Sequence, residues 1–194
     1  CVSKLGGKSS MITKLGDDMF GRFLKYTLEK EGVETDRVLF TDEANTALAF
    51  VSLDKEGERS FSFYRKPSAD MLLSENDVND AEFDETDILH FCSVDLIDAP
   101  VRKAHDALIA KARSCGAKIS FDPNLRYSLW KDGQSLIDTV KKYIPLADFV
   151  KVSDEELFDI TGIPAEEEAV LSLFNGNVKL VIVTKGSLGA TAYT

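Results

Sequence analysis

The sequence predicts an α/β fold built on a mainly parallel sheet. From residue 87 onward, short apolar runs alternate with segments whose apolar residues recur every three to four positions, which is the strand and helix signature in alternation. The run "LVIVT" at 180–184 is continuously apolar up to its last residue, as expected of a strand buried on both faces. Residues 45–65 add a different element: two alternating runs flank the turn "DKEG", which is a hairpin pattern and not a crossover.

Taken in order, Phe20, Phe23, Leu24 and Leu28 define an amphipathic helix starting near Asp17 and stopping at Gly32, followed by the β-like run "VLF". The hairpin of 45–65 comes next. It reads either as a lid over a site or as an edge hairpin without one. The polar stretch "SENDVNDAEFDET" is a surface connection with a short helical part. "DILHFCSV" then opens the βα series. Val101, Ala104, Leu108 and Ala112 mark a helix ending at Gly116, with "AKISF" after it; Leu136, Ile137, Val140 and Ile144 mark another before Pro145, with "ADFVKV" after it. One further helix leads to "LVIVT". Such a series implies parallel strands joined by right-handed crossovers.

Composition narrows the function. The chain has 194 residues, enough for one substantial α/β domain, and 44% hydrophobic with 29% charged residues marks a globular chain. Its net charge of −10 is spread over helices and turns, which disfavours nucleic acid as a partner, since that needs a basic face. Backbone N–H groups, a few Lys or Arg and a divalent metal can still bind a small anion. No apolar run approaches the ~18 residues of a membrane span, and no basic segment leads into an apolar export signal. A cytoplasmic protein without a membrane partner is the expectation. Cys1, Cys92 and Cys115 lack C-x-x-C spacing, so reduced and mostly buried thiols are expected rather than a zinc site.

Four stretches are candidates for chemistry. "ISFDPNLRYSLW" sets Asp122, Asn124 and Arg126 just past a strand's carboxyl end, where open α/β sheets bind ligands. Arg matches a carboxylate or phosphate well, but a plain turn with a surface cation fits equally. In "FVKVSDEELFDITG", Ser153 and Glu156 form a capping box and also stand at a strand end, so they are a cap, part of a site, or both. "VTKGSLGA" follows the last strand with Thr184, Lys185, Gly186 and Ser187, a loop able to hold phosphates or simply to turn. It is not a Walker A sequence, and no G-x-G-x-x-G occurs, which disfavours a dinucleotide-dependent dehydrogenase. On the hairpin, alternation sends Phe61, Phe63 and Arg65 to one face and Tyr64 to the other. That face can cover a polar ligand such as a sugar, or anchor the hairpin. Asp17 and Asp18 open the first helix, where the helix dipole is sufficient reason for them.

Together, "LGGKSSMITKLGDDMFG", "TALAFVSLDKEGERSFSFYRKPSADMLL", "FDPNLR", "FVKVSDEE" and "VIVTKGSLGA", in this order from residue 5 to residue 190, resemble the ribokinase-like (PfkB) family of sugar kinases, most closely its bacterial fructokinase and 2-keto-3-deoxygluconate kinase branch. The resemblance implies a three-layer α/β/α sandwich with a small antiparallel β lid over about residues 38–66. It implies ATP-dependent phosphorylation of a sugar hydroxyl, most simply fructose, with Mg²⁺. The alternatives are 2-keto-3-deoxygluconate or another sugar, or a non-catalytic sugar or nucleotide-binding relative.

Carried over by position, Phe63 and Arg65 fall where the lid meets substrate, and Arg126 near the substrate or its incoming phosphate as a catalytic group. Ser153 and Glu156 match the family's N-x-x-E motif, with Ser in place of Asn, whose Glu organises Mg²⁺ and phosphate, often through water. Thr184 and Gly186 match its nucleotide loop. Asn124 and Lys151 are expected beside ATP as well. A homodimer through the lid is a further expectation. Family members also have an earlier strand with a substrate-binding Asp and a later G-A-G-D segment carrying the catalytic base, so residues 1–194 are expected to be an incomplete kinase domain.

Overall fold

In the computed structural model the chain divides into two units, Cys1–Ser74 and Glu75–Thr194. The structure describes residues 1–53, 55 and 59–194, with Arg59 described by its backbone alone.

In the first unit, β1 (Thr13–Gly16) leads through α1 (Met19–Lys30) to β2 (Val38–Thr41), which pairs parallel with β1. Asp18 caps α1, its side chain accepting from Gly21 N–H, and Gly32 ends the segment at φ 73°, a left-handed conformation that glycine adopts without strain. The face of α1 differs from expectation. Gly21 is buried and Lys25 and Leu28 are half-buried, whereas Phe20, Phe23 and Leu24 are exposed. Helical spacing defines an apolar stripe but not whether a partner covers it, and here the stripe that meets the rest of the unit passes through Gly21, where the strand backbone comes too close for a side chain.

The hairpin follows as β3 (Leu48–Leu53) and β4 (Arg59–Tyr64), antiparallel, with Ala49 opposite Phe63 and Val51 opposite Phe61. It is narrower than the expected 38–66, because Val38–Thr41 belongs to the parallel pair. The turn expected at 54–57 lies, except for Lys55, outside the described residues.

The second unit opens with a 3₁₀ turn, Glu75–Val78, inside the stretch read as a surface connection; Val78 and Ala81 are nevertheless buried and pin it. Next come β5 (Ile88–Cys92), α2 (Pro100–Ser114), β6 (Lys118–Asp122), α3 (Gly133–Tyr143), β7 (Phe149–Ser153), α4 (Asp154–Thr161), α5 (Glu166–Leu173), β8 (Leu180–Thr184) and β9 (Ala190–Tyr193). The sheet order is β5-β6-β7-β8-β9, parallel up to β8, with β9 antiparallel beside β8. Where one helix was expected before "LVIVT" there are two, because Gly162 ends α4 at φ 72° and Pro164 follows.

The core lies on one face of this sheet. Phe91, Ile119, Phe121, Val150, Val152, Val181 and Val183 pack against Ile109, Leu136, Val140, Leu157, Ile160 and Val170 of the helices. Each such side chain contributes about 1.5–3 kcal/mol by burial. Leu180, Ile182 and Thr184 face the other way and are half-buried within residues 1–194. The thiols also differ from expectation: Cys1 and Cys115 are exposed and Cys92 is half-buried, and none of the three forms a disulfide. Cys115 sits at the polar C-cap of α2, beyond the buried stripe of that helix.

Candidate active site at the strand carboxyl ends

The parallel register of β6, β7 and β8 brings their carboxyl ends together, and with them most of the residues selected from sequence. Lys151 reaches from β7 to Asp122 at the end of β6, its Nζ 3.2 Å from Oδ2 and 3.4 Å from Oδ1. The chain then turns through Pro123 to Asn124, which has φ 45°. Asn tolerates this left-handed conformation better than most residues. Arg126, half-buried, donates from Nη1 to Leu125 O at 3.0 Å.

Glu156 joins two of these segments. Its Oε2 accepts from Ser153 N–H at 2.9 Å, and Ser153 Oγ accepts from Glu156 N–H at 3.1 Å, completing the capping box that starts α4. Its Oε1 accepts from Leu125 N–H at 2.8 Å, 31 residues away. The carboxylate therefore caps a helix and also holds the Asn124–Arg126 turn against that helix start. Beside it, Tyr127 donates to Asp159 Oδ2 at 2.6 Å. Burial, this bond and the charges of Asp159 and Glu156 push the Tyr127 phenol up to about 12.

In the loop after β8 the threonine and the lysine both have partners within the protein. Thr184 Oγ1 donates back to Val152 O at 3.3 Å. Gly186 has φ 54° with open space where a Cβ would stand, so its backbone conformation, not crowding, is what calls for glycine. Lys185 turns to Glu166 at the start of α5, 2.7 Å from Oε2, and Tyr193 of β9 donates to the same carboxylate at 2.5 Å. The lysine and tyrosine bonds hold the Glu166 carboxyl below its usual range. Sequence reading missed this staple, since nothing local links residues 166, 185 and 193.

The hairpin residues belong to the first unit. Phe63 is half-buried and stacks on Phe61 with centroids 5.9 Å apart and planes 10° apart, the shared face that alternation predicts. Arg65 lies beyond the strand end, 8% exposed, its Nε and Nη2 each 2.5 Å from Asp70 Oδ2.

Among the described residues no group of three or more His, Cys, Asp or Glu side chains is arranged to hold a metal. Glu156 still has carboxylate lone pairs beyond its two N–H partners. It therefore fits Mg²⁺ in the mode that ion prefers, keeping several waters and resting on one or two carboxylates and substrate phosphates. No helix among the described residues is long and apolar enough to cross a membrane.

Known proteins match this arrangement along the whole chain. "Probable fructokinase-5" of Arabidopsis thaliana is 46% identical over 194 residues, all of this chain and 60% of its own length. A fructokinase from Vibrio cholerae O395, solved in a fructose, ADP and calcium ion bound form, is 39% identical with a TM-score of 0.92, covering 100% of this chain and 62% of that one. A fructokinase from Xylella fastidiosa with bound ATP is 39% identical with a TM-score of 0.89, again over 100% and 62%. The chain thus spans about three fifths of the length of the curated relatives it matches, and its fold is the ribokinase-like α/β fold. The sequence profile of the pfkB family carbohydrate kinases covers residues 1–194 from end to end, and the chain belongs to that family.

Proposed function

We propose that the protein containing this chain transfers the γ-phosphoryl group of ATP to a hydroxyl of fructose. The observation that carries this reading is the whole-chain similarity, 46% and 39% identical, to fructokinases that include one solved with fructose and ADP. The cluster at the ends of β6, β7 and β8 supports it.

In this reading Lys151, Asn124, Ser153, Thr184 and Gly186 surround the nucleotide, and Glu156 orients magnesium through water. The metal, when bound, neutralises charge on the transferring phosphoryl group. Arg126 neutralises the remaining phosphate charge near the sugar. Phe63 offers the lid's aromatic face to fructose. The partly buried ion pair of Arg65 with Asp70 supports a different role from direct substrate contact, namely anchoring the hairpin's exit, and this is the role we assign to it. The opposite lid face, with Phe50 and Tyr64 57% and 67% exposed, suits a second copy, and light scattering of the intact protein would test a dimer. We place the activity in the cytoplasm, where ATP is available.

The deciding experiment offers fructose, 2-keto-3-deoxygluconate and other sugars with Mg·ATP to the intact protein in an ADP-coupled assay. Fructose is expected to give the highest kcat/KM. Preference for another sugar would overturn the substrate, and tight binding without turnover would overturn the reaction.

A further inference from the structure

Asp18 makes more contacts than a helix cap requires. One acceptor for the N–H at the third helical position satisfies a cap, and Asp18 Oδ1 supplies it to Gly21 N–H at 2.8 Å. The same carboxylate also accepts from Thr46 twice, from N–H onto Oδ2 at 2.8 Å and from Oγ1 onto Oδ1 at 3.0 Å, across 28 residues of sequence. Thr46 Oγ1 in turn accepts from Gly16 N–H at the end of β1, at 3.1 Å. Partial burial raises the Asp18 carboxyl, but the bonds from Thr46, Gly21 and Phe20 outweigh it and hold the group below the usual aspartate range.

The knot has no slack. A Cβ on Gly16 would lie 2.5 Å from Thr46 N, and one on Gly21 would lie 2.2 Å from Gly16 O. Thr46 is 5% exposed and stands two residues before β3. Its neighbour Asn45 accepts through its carbonyl from Ala69 N–H at 2.9 Å, just beyond the hairpin's exit, where Arg65 meets Asp70. Both limbs of the hairpin therefore leave the β1–α1 body through a fixed point.

We propose that Asp18 is a positioning residue for the sugar: by fixing Thr46 it sets the direction in which the Leu48–Tyr64 hairpin leaves the β1–α1 body, and so where Phe63 is presented. This rests on the sugar-kinase reading above. Asp18→Asn separates the cap from the tie, because Asn caps helices as well as Asp does, while its amide nitrogen cannot accept from Thr46 N–H.

In the intact kinase Asp18→Asn is expected to raise KM for fructose about tenfold, as loss of one charge-assisted hydrogen bond from the base of the hairpin would, and to leave KM for ATP within about twofold. Amide hydrogen exchange at Thr46 and across 48–53 should quicken, with the α1 amides unchanged. Thr46→Val should behave like Asp18→Asn, and Thr46→Ser like the wild type. Equal losses for both substrates, or an unchanged fructose KM, would overturn the proposal while wild-type turnover left the kinase reading standing. A wild-type protein that phosphorylates no sugar would overturn the reading and the proposal with it.

Discussion

Glu156→Gln separates the two roles of the carboxylate that links α4 to the Asn124–Arg126 turn. In the native site both oxygens accept a backbone N–H, from Leu125 at 2.8 Å and from Ser153 at 2.9 Å. An amide offers one oxygen and one NH₂, so whichever way it turns, one of those N–H groups faces a donor. The loss is about one hydrogen bond to a charged acceptor, 1.5–3 kcal/mol, and the half-buried setting puts it near the lower end, about 1.5–2 kcal/mol. In a domain of about 150–250 residues that lowers Tm by about 3–8 °C, and by less in a larger one, and it leaves nearly all molecules folded at 25 °C. A kcat measured at that temperature therefore reports on the site and not on unfolding. If Glu156 also orients magnesium through water, kcat should fall about 10–100-fold, the usual cost of losing an outer-sphere partner of a metal, and the apparent magnesium requirement should rise. A lowered Tm with kcat within about twofold of wild type and an unchanged magnesium dependence would refute the second role and leave Glu156 a structural staple.

Arg126→Ala should lower kcat about 100-fold, as removing a donor to transition-state charge commonly does, with little change in a urea melt; an unchanged rate would remove Arg126 from the site. Gly176→Ala should cost more than about 2 kcal/mol in the same melt, since φ there is +60° and the new Cβ would lie 2.4 Å from Pro145 O. In acid, Asp18 and Glu166 have folded pKa values below their unfolded ones, so their stabilisation is present above the unfolded values of about 4 and is lost as pH falls through the folded ones. In base the sign reverses: Tyr127, raised from 10.0 to about 12, contributes stability present below its unfolded pKa and lost as pH rises through that window, and Tyr143, raised by burial and by its bond to Asp106, adds to the same limb. Thermal melts across pH should therefore fall off at both ends, and Tyr127→Phe should shrink the alkaline fall.

Much of this chain could be read before any coordinates. The period of Val101, Ala104, Leu108 and Ala112, and the runs at 117–121, 147–152 and 180–184, report local geometry, and all four fall on the elements they indicate, with strand bounds shifted by one or two residues for the first two runs. So did the capping box of Ser153 and Glu156, whose partners are three residues apart. The strand-end location of Asp122, Asn124, Arg126, Lys151, Glu156 and Thr184 followed from the βα alternation, because parallel strands bring their carboxyl ends to one edge.

Tertiary structure decided what those side chains hold and which faces are covered. Phe20, Phe23 and Leu24 form an apolar stripe by spacing, yet within residues 1–194 they are exposed, while Gly21 on another face of α1 meets the strand backbone. Lys185 meets Glu166 and Arg65 meets Asp70, partners that no local pattern in the sequence announces. Asp18 reads as a cap alone until Thr46, 28 residues on, appears against its second oxygen. The physical reason is common to all of these. Periodicity and capping depend on neighbours along the chain, whereas a carboxylate's second partner and a stripe's cover depend on which distant segments the fold brings within about 3–4 Å.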